Sequence, residues 1–234
     1  MTAPDHDPLA DLPWREPEAP RPEISQCIRR QCTGGLCAGR RLSAGQRVGL
    51  SIGLSACMVA LILALTAGHE RAEAPWRAAL LGAAGWGLVM LAVLLFGLAR
   101  PPGWRLPRLA RLGIVFGLPV AFLFYLALEA SGPVPLADFM VGGGAAIAMR
   151  CTFYSLLFGA IGTSAMLFIW RGTDPLTPRL SGALAGLVGG VSGAVAIGCA
   201  CPTGSTWHLW LGHGLAVLVL IVAGSLAGRR LLAP

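Results

Sequence analysis

The chain reads as an all-α polytopic membrane protein with six transmembrane helices and both termini in the cytoplasm. Three observations give that fold class. Its 234 residues are 55% apolar and only 12% charged, where a soluble domain carries about 25% charged residues. The mean hydropathy is +0.69. Six separate runs reach the length of about 20 apolar residues that a membrane-crossing helix requires.

The runs cover residues 48–67, 78–98, 112–130, 145–170, 180–199 and 209–226. The third contains Pro119, which removes a backbone donor and should kink the helix, so that a neighbouring helix must cover the freed carbonyl. The start of the fourth is blurred by Val141-Gly142-Gly143-Gly144. The fifth carries Gly182, Gly186 and Gly190 at four-residue spacing, and Gly189 and Gly193 repeat the spacing on a nearby face. Gly224 and Gly228 do the same in the sixth. Small residues at that interval let helix backbones approach closely. An intramolecular helix pair is the default reading, with a dimer face as the alternative.

Orientation follows from the arginines, which concentrate in cytoplasmic loops. All 18 basic residues are Arg, and only Arg71, Arg77 and Arg150 fall in the first, third and fifth loops. The other arginines share the side of the two termini. Trp76, Trp104, Trp170, Trp207 and Trp210 fall near predicted interfaces, as an aromatic belt should. A net charge of +7 suggests an anionic partner only where the cations form a patch. Here they sit in short loops that topology explains, so no direct nucleic-acid binding is expected.

Three segments result: a cytoplasmic tail of residues 1–47, a six-helix domain of residues 48–228, and a short cytoplasmic C-terminus of residues 229–234. No signal peptide is expected, because residues 1–23 are acidic and Pro-rich. That composition is too poor in apolar residues to form a core and predicts disorder in the free state. Leu9, Leu12 and Trp14 in this part and Ile24 beside it are apolar anchors, set among Asp5, Asp7, Asp11, Glu16, Glu18 and Glu23. They suit an amphipathic element that folds on a basic partner surface. Residues 24–47 hold five arginines and no acid, a segment suited to anionic lipid headgroups.

Two cysteines stand out. Cys151 and Cys201 lie fifty positions apart, yet this topology puts them at the outer ends of the fourth and fifth helices. Antiparallel neighbours joined by a short loop bring such residues together. A disulfide or redox-sensing pair is one reading, and two small buried apolar residues is the other. Cys199, Cys201, His208 and His213 are ligand types that suit zinc or copper. Their spacing matches no tight motif, and residues five apart do not share a helix face, so interfacial packing and no metal is the expectation. Cys27, Cys32 and Cys37 recur every fifth residue without a nearby His, which reads as spectator thiols better than as a zinc site.

No ionisable group is placed at mid-membrane depth. Glu129, Asp138 and Arg150 all fall near the outer surface, which counts against an ion-coupled transporter. A phosphate loop, a zinc-protease signature and a nucleophile elbow are all missing, so neither an enzyme nor a cofactor is expected.

From about residue 145 to 232 the chain resembles the NrsF-like family of six-helix membrane anti-sigma factors. The match is carried by Cys151, by Arg171-Gly172 and by Asp174-Pro175-Leu176-Thr177-Pro178-Arg179. After these come Gly182-Ala183-Leu184-Ala185-Gly186-Leu187, then Cys201-Pro202 with Ser205, then Gly224 to Arg230. The resemblance implies a negative regulator in the bacterial inner membrane that holds an extracytoplasmic-function sigma factor through its cytoplasmic tail. It implicates Cys151 and Cys201 in sensing, by oxidation or by a soft metal. The chain departs from the pattern at Thr203-Gly204, where the family tends to be acidic, and at Gly212, where a Trp is expected. Its tail is longer and adds three cysteines, and it lacks the His and close Cys pair of zinc-containing anti-sigma factors. A membrane scaffold and a small transporter remain the competing readings.

Overall fold

The computed structural model describes residue 26 and residues 42–66, 76–99, 106–130, 134–174, 176–201 and 204–232. The chain divides into two units, residues 1–41 and residues 42–234. All the described residues except Gln26 belong to the second, and they are helical with no strand among them.

Helix α1 is Ala44–Thr66. It begins four residues before the apolar run because Ser43 and Gln46 form a reciprocal cap. Ser43 Oγ accepts from the Gln46 amide at 3.2 Å, and Gln46 Oε1 accepts from the Ser43 amide at 2.9 Å. Two otherwise orphaned N–H groups are thereby satisfied. Helix α2 is Trp76–Val93 and continues as a π turn over Leu94–Ala99. Helix α3, Arg108–Glu129, runs unbroken through a buried Pro119. A short α4, Leu136–Val141, precedes α5, Gly144–Ile169. Gly143, with φ of 77°, turns the chain between them in a conformation that glycine adopts without steric cost. Helix α6 is Pro178–Ala200. Helix α7 covers Thr206–Leu231 and holds a π turn over Trp210–Gly214. Six of these helices are long and apolar enough to cross a membrane, so the fold is a multi-pass helical bundle.

Helix α6 is the axis of the bundle. Its spanning stretch is 72% buried, against 17–44% for the other five spans. Two glycine rows make this possible. A Cβ on Gly182 would fall on the Gly224 carbonyl and 2.8 Å from Gly228 Cα, and one on Gly190 would lie 3.1 Å from Val217 Cα. These positions, with Gly186, seat α6 on α7. On the other side a Cβ on Gly193 would lie 2.6 Å from the Gly159 nitrogen, and one on Gly189 would lie 2.6 Å from that of Thr163. This second row seats α6 on α5. The glycine spacing is thus used inside one chain, between three of its own helices.

The helix directions place Arg47, Arg108, Arg111, Arg171, Arg179, Arg229 and Arg230 at one end of the bundle and Arg150 at the other. Glu129, Asp138 and Arg150 are exposed. Two residues of the basic end have buried partners. Trp170, at the end of α5, is buried in the protein, and its indole N–H donates to Ser51 Oγ at 3.3 Å with the Arg47 guanidinium 5.9 Å from its ring centre. Arg111 is not a solvated loop charge. It is 3% exposed, and its Nη2 lies 3.5 Å from Asp174 Oδ2.

Candidate functional site

The motif Asp174 to Arg179 folds around a buried carboxylate. Asp174 Oδ1 accepts from the amides of Leu176 at 3.2 Å and Thr177 at 3.0 Å. Its Oδ2 accepts from Thr177 Oγ1 at 3.0 Å and from Ser181 Oγ. Arg111 reaches in from α3, donating from Nη1 to Thr177 Oγ1 at 2.7 Å and from Nη2 to Ser181 Oγ at 2.5 Å. The loop is also tied to the far end of α7: the Gly172 amide donates to the Leu231 carbonyl at 3.1 Å, and the Asp174 amide to that of Leu232 at 3.2 Å. The carboxylate therefore joins the starts of α3 and α6, and the backbone of its loop ties in the end of α7. Sequence reasoning passed over it because its cation lies 63 positions away and resembles any arginine flanking a span.

The thiols occupy the opposite end. Cys151 sits in the second turn of α5 and Cys201 follows the last residue of α6. Their sulfurs are 3.7 Å apart. Cys201 Sγ is also 3.0 Å from His208 Nε2. Ser205 caps α7, its hydroxyl accepting from the His208 amide at 3.4 Å, which holds that imidazole beside the thiols. Thr152 Oγ1 donates to the Leu211 carbonyl at 2.8 Å, tying α5 to α7.

His213 joins the group through the π turn. In an α-helix, residues five apart point about 140° away from each other. A π turn inserts one residue and brings them onto one side. The rings of His208 and His213 have centroids 5.6 Å apart, so the expectation that they occupy different faces does not hold. His213 is 1% exposed and its Nδ1 lies 3.2 Å from the Ala194 carbonyl. Gly212 is part of the same packing, since a Cβ there would lie 3.2 Å from Cys151 Cβ and 3.6 Å from His208 Nε2. A Trp has no room at this position.

The structure brings Cys151 and Cys201 together and adds His208 and His213. Cys199 is buried and Cys57 is exposed on α1. Leu9, Leu12, Trp14, Ile24, Cys27, Cys32 and Cys37 lie outside the described residues.

No curated protein and no solved structure matches the chain. The family model of NrsF, negative regulator of sigma F, matches residues 35–233, which takes in all six spanning helices as well as the segment that carried the resemblance. The chain belongs to the NrsF family, and with it to the negative regulators of sigma factors.

Proposed function

We propose that this protein is an anti-sigma factor of the bacterial cytoplasmic membrane, with its N-terminus in the cytoplasm. It sequesters an extracytoplasmic-function sigma factor through residues 1–47 and releases it on a signal sensed in the membrane domain at Cys151 and Cys201. It works by binding and carries out no catalysis. The observation that carries this reading is the 3.7 Å contact between two thiols from different helices, in a chain of a family of sigma regulators.

Helix α5 supports a route from signal to tail. It begins near the thiols and ends at Trp170, which touches Ser51 of α1. Its 26 residues span about 39 Å at the helical rise. Ser51 Oγ in turn donates to the Arg47 carbonyl at 2.8 Å, one turn from the Ser43 cap where the tail begins. A change in thiol chemistry that shifts α5 against α6 moves the base of the tail. An extracellular thiol pair is suited to this, since its bonding changes with oxidant or thiophilic metal.

The scaffold reading has less support, because the glycine rows that would serve a partner helix are filled by α5 and α7. Capture from the host's cytosol by the full-length, detergent-solubilised protein tests the reading. One sigma factor is expected to be retained, and Leu12→Asp with Trp14→Asp is expected to abolish retention. No sigma factor retained by the unaltered protein would sink the proposal. The sensing half has its own test in a reporter strain: Cys151→Ser is expected to keep repression yet lose induction by oxidant or metal. Induction as in the unaltered protein would remove the thiol pair from the mechanism.

A further inference from the structure

We propose that Cys151, Cys201, His208 and His213 form a four-ligand site for a thiophilic divalent cation of the zinc class. Its regulatory meaning rests on the sensing role given above; the binding itself does not. One donor atom from each residue lies within 4.8 Å of each of the others. An ion holding two sulfurs at about 2.3 Å in a tetrahedron sets them about 3.8 Å apart. The observed separation is 3.7 Å, so the sulfurs need no rearrangement to accept it.

The imidazoles are buried beside the sulfurs, and His213 is oriented for the same task. His208 and His213 are 0% and 1% exposed. The Nδ1–H of His213 donating to the Ala194 carbonyl leaves Nε2 as the nitrogen with a lone pair, and Nε2 is buried without a hydrogen-bond partner. A backbone carbonyl on the far nitrogen is the usual way a ligating imidazole is oriented and its tautomer set. His208 presents Nε2 to the thiols, 3.0 Å from Cys201 Sγ. The π turn over Trp210–Gly214 supplies the fourth ligand, in keeping with the frequent use of such turns at functional sites. Gly212 leaves the space between Cys151 and His208 free of a side chain.

Charge selects the ion. On binding, each thiol releases a proton to solvent, and a dication, two thiolates and two neutral imidazoles sum to zero. A neutral complex suits a site at the end of membrane-spanning helices, where net charge is costly. No electron is transferred. A metal held by both sulfurs also keeps them from pairing with each other.

The test uses the full-length protein in detergent, reduced and stripped with chelator, with Cys27→Ser, Cys32→Ser and Cys37→Ser so that tail thiols give no signal. Titration with Co2+ is expected to give one equivalent per chain. It should show thiolate-to-cobalt charge transfer in the near ultraviolet and tetrahedral d–d bands in the visible, both abolished by Zn2+. His208→Gln and His213→Gln are each expected to weaken binding by more than the roughly 10–100-fold cost of losing an outer partner. His213→Cys, which keeps a soft ligand in place, should restore tetrahedral bands with stronger charge transfer. Unchanged cobalt spectra in both Gln variants, or no stoichiometric binding by the monodisperse unaltered protein, would overturn the site. Cobalt binding needs no sigma factor, so a protein that takes up the ion but captures none keeps the site and loses the regulator reading.

Discussion

Asp174→Ala is expected to destabilise the membrane domain by about 3–5 kcal/mol, the cost of stripping one partner from a buried ion pair. The carboxylate is 1% exposed and accepts from two amides and two hydroxyls besides facing the Arg111 guanidinium. Its loss removes the carboxylate that faces the buried Arg111 guanidinium and frees the loop between α5 and α6. The melting temperature of the detergent-solubilised protein should fall well below that of the unaltered protein. Arg111→Met added to Asp174→Ala should recover part of the loss, because replacing both members of a buried pair by apolar groups costs far less than orphaning one. A single variant that melts with the unaltered protein would show that the cluster is solvated.

The second large effect is expected at Gly186. A Cβ there would fall on the Leu220 carbonyl and lie 3.0 Å from Ile221 Cα. Those obstacles are backbone and cannot rotate aside. Overpacking a core costs about 1–3 kcal/mol where side chains can yield, so Gly186→Val should reach the upper end or exceed it. It should appear as loss of monodisperse protein and a lowered melting temperature. Gly198→Val is the control: it lies on the same helix with nothing within 4 Å of its Cβ position, and it should behave as the unaltered protein. Equal behaviour of the two variants would mean that α6 and α7 do not meet along this row.

The six spans were legible because the need for about 20 apolar residues is a length rule that depends on nothing distant. Their ends were less so. The first helix gains a turn from a polar cap, Ser43 with Gln46, which hydropathy does not weigh. The proximity of Cys151 and Cys201 followed from antiparallel neighbours. His208 and His213 were recognised as ligand types with Cys199 and Cys201 but set aside as one site, because 3.6 residues per turn was assumed throughout and the π turn at Trp210–Gly214 breaks that period. The burial of Arg111 and Trp170 was not legible for a different reason. At a helix end the same residue serves equally at an interface or in a core, and only its partner decides. Those partners, Asp174 and Ser51, are 63 and 119 positions away.

The central place of α6 has a consequence for how the protein is made. Its glycine rows bury almost no side-chain surface of their own and find their complement on α5, synthesised before it, and on α7, synthesised after it. When α6 enters the bilayer, one of its two sides therefore has no partner. The amides of Gly172 and Asp174 also wait, since their acceptors are the carbonyls of Leu231 and Leu232. The packing of α6 is therefore completed only once α7 has joined α5 and α6.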